Sequence, residues 1–329
     1  MNLFENANLR LFSDFFIIFK INLFFPKIFV VVYPPTINFL YMLTFSTNSD
    51  LQAYLTSAKN TNKKIGFVPT MGALHEGHLT LVMEALQEND LVVCSIFVNP
   101  TQFNDPNDLK KYPRPIEKDS AALTKIGCQV LFLPTVEEIY PPDLAEVNFD
   151  LQELDLPMEG AKRPGHFKGV VQVVHRLLDI VRPDSLYMGQ KDFQQYTIIA
   201  HMLRLMDSPI RLVRVPIIRE ADGLAMSSRN VRLSPEGRAQ APLIHKVLHE
   251  LEYYVNSQPN PKVAEAKALA MASFQKQDIN DVDYLEIVDG QTLRGLDNFE
   301  DTRYAVVCTV VVIDGVRLLD NVILFENGL

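Results

Sequence analysis

His75 and His78 stand three residues apart in the run Pro69-Thr70-Met71-Gly72-Ala73-Leu74-His75-Glu76-Gly77-His78. An apolar stretch precedes the run and an amphipathic one follows, so it reads as the junction of a strand with a helix. Three residues apart at a helix start, the two imidazoles share one side. Unpaired backbone N–H groups and the positive end of the helix dipole gather there and favour an anion by about 0.3 to 1 kcal/mol per exposed charge. Imidazole N–H groups add donors for phosphate oxygens. The spacing does not suit zinc, since the zincin helix needs His-Glu-x-x-His with the histidines four apart. Gly72 supplies the backbone freedom for a tight turn.

Four further runs carry similar potential. Gly189-Gln190-Lys191-Asp192-Phe193-Gln194-Gln195 again lies between a strand-like and a helix-like stretch. Lys191 can place a cation on a phosphate. Asp192 suits either a helix cap or a metal-bound phosphate. Gln194 and Gln195 offer amides without charge. Met226-Ser227-Ser228-Arg229-Asn230 follows the turn signal Asp222-Gly223 and lines up two hydroxyls and a guanidinium, a set that suits phosphate. Asn99-Pro100-Thr101-Gln102-Phe103 puts neutral amides at the end of an apolar strand, and Arg163-Pro164-Gly165-His166-Phe167 puts Arg and His on a Pro-Gly loop able to hold a carboxylate. Taken singly, each run is also consistent with an ordinary polar loop or a capped surface helix.

The elements that must position these residues alternate. Lys64 to Pro69 reads as a strand, and Leu79, Val82, Met83 and Leu86 mark one face of a helix. Leu91 to Val98 is a continuous apolar run, as in a strand buried on both faces. A helix over Ile116 to Ile126, a strand over Gln129 to Leu133, a helix through Val170 to Val181, a strand over Ser185 to Met188, a helix over Asp192 to Met206 and a strand over Arg211 to Ile217 follow. Such alternation predicts an α/β fold with a parallel sheet, whose ligands sit at the carboxyl ends of the strands. Each of the five runs follows a strand, so they can converge on one cleft. After Ile217 the pattern changes. A long helix over Pro235 to Val255, another over Val263 to Gln275, and strands at Asp283 to Val288, Tyr304 to Ile313 and Val316 to Leu318 predict a smaller α+β C-terminal domain. Asp314-Gly315 between the last two is a hairpin signal. The expected domains are 42–217 and 218–329.

Composition bounds the class. The 329 residues carry 31 Lys+Arg against 40 Asp+Glu, a net charge of -9. That balance argues against a nucleic-acid or anionic-membrane binder, which needs a basic face. Cys94, Cys128 and Cys308 are too few and too scattered for a disulfide framework or a cysteine zinc site, so a reducing cytoplasmic setting is expected. Residues 1–41 differ from the rest, with nine of the 20 Phe and none of the 14 Gly. Their candidate membrane span, Phe15 to Tyr33, is interrupted by Lys20, Asn22, Pro26 and Lys27, and a central Lys costs about 2.5 to 3.5 kcal/mol. No signal-peptide pattern fits. Residues 1–41 are expected to be an extension outside the fold, disordered or ahead of a true start at Met42. A membrane anchor is the alternative.

Read together and in this order, PTMGALHEGH, NPTQF, RPGHF, GQKDFQQ and MSSRN closely resemble the pantoate–β-alanine ligase family, the pantothenate synthetases, within the His-x-Gly-His nucleotidyltransferases. The resemblance runs from about Met42 to the C-terminus. It implies a Rossmann-like ATP- and pantoate-binding domain, a small C-terminal domain and a homodimer. It also implies ATP-dependent condensation of (R)-pantoate with β-alanine through pantoyl adenylate, giving pantothenate, AMP and pyrophosphate, with Mg2+ accompanying ATP. On this resemblance Met71, Gly72, Ala73, Leu74, His75, Glu76, Gly77 and His78 would line the ATP site, with His78 the catalytic proton donor and His75 assisting on the phosphates. Gly189, Gln190, Lys191, Asp192, Met226, Ser227, Ser228 and Arg229 would also meet ATP, with Lys191, Ser227, Ser228 and Arg229 on phosphates, and Ile218 would touch the nucleotide through its backbone. Gln102 and Gln195 would bind pantoate, Gln102 also touching β-alanine. Asn99, Arg163 and His166 would stand beside them. The resemblance leaves the protein ligands of the metal open. Val312 to Asn321 is a slightly altered form of the family's ending.

Two other readings share parts of this pattern. An enzyme that joins a nucleotide to a phosphorylated substrate would use the same histidines but needs extra cations, where this chain has Gln102, Gln194 and Gln195. A nucleotide-binding regulatory module that has lost catalysis is disfavoured by the intact His75, His78, Lys191 and Arg229.

Overall fold

The computed structural model describes residues 42–103, 109–110 and 112–327, and the backbone alone of 8–12, 16–20 and 29–31. Residues Met1–Tyr41 and Met42–Leu329 form two separate compact units. In the first, β1 (Asn8–Phe12), β2 (Phe16–Lys20) and β3 (Phe29–Val31) pair antiparallel in that order. No two-residue apolar period announces these strands. The candidate span Phe15 to Tyr33 lies largely outside the described residues. Among the described residues no helix is long and apolar enough to cross a membrane.

The second unit is built on six parallel strands: β4 (Leu43–Phe45), β5 (Ile65–Thr70), β6 (Leu91–Ile96), β7 (Val130–Phe132), β8 (Ser185–Gly189) and β9 (Arg211–Val215). Their spatial order is β4-β7-β6-β5-β8-β9. Every residue of β6 is buried, as its unbroken apolar sequence demands when helices cover both faces. One face, with Phe67, Val93, Phe132 and Leu186, packs on α1 (Asn48–Asn60), α4 (His166–Val181) and α5 (Phe193–Leu205). The other, with Val68, Val92, Leu131 and Tyr187, packs on α2 (Glu76–Glu88) and α3 (Ile116–Lys125). From β5 the chain steps to β6 on one side, and β8 later joins β5 on the other. The carboxyl ends of β5 and β8 therefore diverge at a switch point, the place where such sheets hold ligands.

Beyond β9 the pairing turns antiparallel. β10 (Val282–Asp289), β11 (Tyr304–Ile313) and β12 (Val316–Glu326) form a three-stranded sheet backed by α6 (Leu243–Ser257) and α7 (Val263–Lys276). Val247, Leu251, Ala270, Phe274, Val307 and Val311 fill the space between them. Asp314 and Gly315, at φ 53° and 70°, make the left-handed two-residue hairpin that sets Ile313 opposite Val316.

Three expectations change. The helix expected over Pro235 to Val255 is two, Pro235–Gln240 and α6, because Pro242 lacks the N–H that would continue the ladder. Met83 is 37% exposed, since the buried stripe of α2 centres on Val82 and Ala85 and leaves Met83 at its margin. β12 runs on to Glu326, well past Leu318. Sequence patterning also missed β4 and α1.

Candidate active site

The loop after β5 is shaped by backbone strain and one buried carboxylate. Gly72 and Ala73 have φ of 84° and 51°. A Cβ at Gly72 would stand 2.9 Å from Ile96 Cγ2, so the left-handed turn and the close approach both call for glycine. Asp119, 1% exposed on α3, accepts from Ala73 N at 2.7 Å and Leu74 N at 2.9 Å. No sequence pattern pointed to Asp119.

His75 caps α2 and shares a reciprocal capping box with His78. Gly77 N donates to His75 Nδ1 at 3.2 Å, and His75 N donates to His78 Nδ1 at 3.4 Å. Each Nδ1 is thereby an acceptor, which leaves the proton of each neutral ring on Nε2. The rings lie 4.0 Å apart between centroids. Desolvation, then the Lys191 charge, lowers the His75 pKa to about 4. Desolvation, then His75, lowers that of His78 to about 3. At neutral pH both rings are uncharged and carry Nε2–H donors.

β8 ends at Gly189 and passes through a single 3-10 turn, Gln190–Asp192, into α5. Lys191, Asp192 and Gln195 line the same cleft as His75 and His78. Desolvation opposes ionisation of Asp192, but Lys191 and Arg229 outweigh it and hold its carboxyl below the usual range. Gln190 points elsewhere: its Nε2 donates to Asn321 Oδ1 at 3.1 Å. Gln194, 6% exposed, donates to Leu154 O and Pro157 O and accepts from Glu159 N, so its amide is fully engaged in holding that loop.

Gln102 is held at both ends. Asn99, 1% exposed, donates through Nδ2 to Gln102 Oε1 at 3.3 Å and to Gly169 O at 3.1 Å. Its Oδ1 accepts from Thr101 N, Thr101 Oγ1 and Tyr140 OH, so every side-chain polar atom of Asn99 has a protein partner. The Gln102 amide nitrogen turns to Met71 Sδ at 2.7 Å. Its main-chain oxygen meets His166 Nδ1 at 2.9 Å and Arg163 Nη2 at 3.4 Å. Since a carbonyl only accepts, His166 carries its proton on Nδ1 and receives Arg163 Nη1 on Nε2 at 3.2 Å. Burial and then the Arg163 charge lower its pKa to about 4.

The fifth run closes the cleft. Met226 N donates to Ile218 O at 3.0 Å, and Arg229 N donates to Ser227 Oγ at 3.2 Å. Together these segments enclose a cleft of about 240 Å³. Met71, His75, Gly77, His78, Asn99, Gln102, Arg163, His166, Gly189, Lys191, Asp192, Gln195, Ile218, Met226, Ser227, Ser228 and Arg229 all line it. Gly72, Ala73, Leu74, Glu76 and Gln190 do not. The first three shape the loop from behind, Glu76 is exposed on the first turn of α2, and Gln190 is bound to Asn321. Sequence reasoning missed the apolar wall of Phe97, Val173, Val174, Leu177 and Val215 as a site feature. Val174 and Leu177 look in sequence like ordinary core of α4, and they are buried in that core while also lining the cleft.

A family model described as pantoate–β-alanine ligase matches residues 43–323. A pantothenate synthetase from Porphyromonas gingivalis is 46% identical over 281 residues, covering 85% of this chain and 99% of its own. The crystal structure of pantothenate synthetase from Thermus thermophilus superposes with a TM-score of 0.79 at 40% identity, over 87% of this chain and 100% of that one. A pantoate–β-alanine ligase from Francisella tularensis, solved in complex with beta-gamma ATP and β-alanine, matches with a TM-score of 0.69 at 33% identity, over 86% and 98%. With the motif-bearing cleft at the switch point of a matching fold, the chain belongs to the pantoate–β-alanine ligase family.

Proposed function

We propose that this cleft condenses pantoate with β-alanine in two steps driven by ATP. In the first, a pantoate carboxylate oxygen attacks the α-phosphorus, and the bond to the β-phosphate oxygen breaks with its electron pair leaving on pyrophosphate. In the second, the β-alanine nitrogen attacks the acyl carbon of pantoyl adenylate, AMP leaves with the acyl–oxygen electron pair, and the nitrogen gives up a proton. The observation that carries this reading is the convergence of two neutral imidazole Nε2–H donors, Lys191 and Arg229 with the uncharged amides of Gln102 and Gln195 in one cleft.

Charge moves onto phosphate oxygens in the first step, and preorganised donors in a cleft that excludes water stabilise it best. We assign that work to His75, His78, Lys191, Ser227, Ser228 and Arg229. A neutral ring with Nε2–H acts there as a hydrogen-bond donor, and a neighbouring triphosphate would raise its pKa towards proton donation. Gln102 and Gln195 suit pantoate, because an amide binds a carboxylate and hydroxyls without a full countercharge to weaken the nucleophile. Asn99 and His166 act by holding Gln102, since their own polar atoms are engaged. The apolar wall excludes water that would hydrolyse the acyl adenylate.

Among the described residues no cluster of three or more His, Cys, Asp or Glu could hold a metal. Mg2+ usually binds through one or two carboxylates plus substrate phosphates. Asp192, an ionised carboxylate opening on the cleft, fits that role beside the triphosphate. When bound, the ion would neutralise phosphate charge. We further propose a homodimer, which the family resemblance implies, and a cytosolic setting, which the buried thiols of Cys94, Cys128 and Cys308 suit. The change from parallel to antiparallel pairing after Val215 supports a domain division near residue 217.

Substitution tests the assignment. His78→Ala and Lys191→Ala should each lose about 10² to 10³ in AMP formation from ATP, pantoate and β-alanine while keeping the native circular dichroism. Near-normal turnover in either would overturn it.

A further inference from the structure

β12 reaches the two phosphate-facing loops through adjacent buried polar residues. Asn321 is 2% exposed and Asp320 4%. Asn321 Nδ2 donates to the main-chain oxygens of Gln190 at 3.0 Å and Lys191 at 2.9 Å, and its Oδ1 accepts from Gln190 Nε2 at 3.1 Å. The amide thus grips the turn that carries Lys191. Asp320 faces the other loop. Its two oxygens accept from Arg219 Nη1 and Nη2 at 2.7 and 2.9 Å, and Asn321 N donates to Oδ1 at 2.8 Å. Arg219 Nη1 also donates to Gly223 O at 3.1 Å, and Arg219 bridges Ala225. The stretch so fixed leads directly into Met226–Arg229. Neither Asp320 nor Asn321 lines the 240 Å³ cleft.

We propose that Asn321 is a positioning residue for Lys191, and that the Asp320–Asn321 pair sets the spacing between the loops that carry Lys191 and Arg229. The proposal rests on the function proposed above. A lysine is a point charge on a flexible four-carbon stem, so its aim depends on the backbone from which it starts. The Asn321 amide uses both N–H groups on the turn and its oxygen on Gln190, an arrangement only one orientation satisfies. Misplacing a group by about 1 Å can lower a rate about 10²-fold. Asp320 binds Arg219 through two parallel bonds, the geometry that resists rotation best. The antiparallel sheet therefore supplies the fixed reference for both loops.

The test uses the full chain and the adenylation half-reaction, followed as pantoate-dependent exchange of labelled pyrophosphate into ATP. Asn321→Ala should lower the exchange kcat about 10- to 100-fold while the pantoate KM stays within about 2-fold. Asn321→Asp should not rescue it, because a carboxylate has no N–H for the two carbonyls. In a Lys191→Ala background the same Asn321→Ala change should slow exchange by less than about 2-fold, the mark of two residues acting as a unit. A near-normal kcat for Asn321→Ala, or a loss that multiplies with that of Lys191→Ala, would overturn the proposal. If Asn321→Ala does not fold, Gln190→Ala removes one of the three bonds and takes its place. A kcat loss of about 3-fold or more that vanishes in the Lys191→Ala background supports the proposal, and a normal rate overturns it. An unmodified chain with no pantoate-dependent exchange would count against the proposed function itself; normal exchange there with unaffected variants would count against this inference alone.

Discussion

The acid–base state of two rings governs what the cleft can do. Sequence alone identifies His75 and His78 as the pair opening a helix, but not which nitrogen carries the proton. That is set by Gly77 N and His75 N, which occupy each Nδ1. Their pKa values fall from 6.5 to about 4 and about 3, so protonation favours the unfolded chain. Above pH 6.5 both states are neutral and nothing is lost. As pH falls from 6.5 the native state loses stability, and the loss is complete only once the folded values are passed. Urea unfolding at pH 7 and pH 5 should therefore show a drop in stability that shrinks in His78→Gln. An unchanged drop would mean that His78 is not held neutral. Residues such as Asp119 and Asn321 were illegible because their partners lie 45 and 130 positions away in the chain. A polar residue inside an apolar strand or helix carries no local sign of which loop it will hold. Gln190 shows the same limit: its run points to phosphate, yet the turn sends its side chain to Asn321.

At the scale of elements, four of the segments that line the cleft follow strands ending at the same edge of the sheet. β5 delivers His75 and His78, β6 delivers Gln102, β8 delivers Lys191, and β9 leads to Ile218. These strands and their helices were legible because their apolar runs are long and bounded by Gly, Pro or polar turns. β4 escaped because three residues at a sheet edge make too short a pattern. The Pro235 helix was overextended because its apolar period continues across Pro242 while its hydrogen bonds do not. The aim of the site rests on the packing beneath it. Leu186, fully buried in β8, belongs to the core on the α1, α4 and α5 side. Leu186→Ala should destabilise the fold by about 2 to 5 kcal/mol, read as a lower urea midpoint with an unchanged slope. A shift under about 0.5 kcal/mol would show that β8 is not a central support.

For the whole molecule, the active unit is residues 42–329, and the family match spans 43–323 within it. The excess of Phe and the lack of Gly belong to residues 1–41. The remaining 288 residues (329 less 41) carry a net charge of -10, since the first 41 hold three basic and two acidic residues. An acidic enzyme that binds a polyanion must concentrate its cations locally. Lys191, Arg229 and Arg163 on the cleft wall do so, and the two uncharged imidazoles of His75 and His78 line the same cleft. The antiparallel sheet completes that arrangement from behind through Asp320 and Asn321. Acyl adenylate chemistry at this cleft is tested most directly by isotope exchange. Incubated with ATP, Mg2+ and labelled pyrophosphate, the protein should return label to ATP only when pantoate is added, and without any need for β-alanine. Exchange that ignores pantoate, or that appears only with a phosphorylated acceptor, would contradict it.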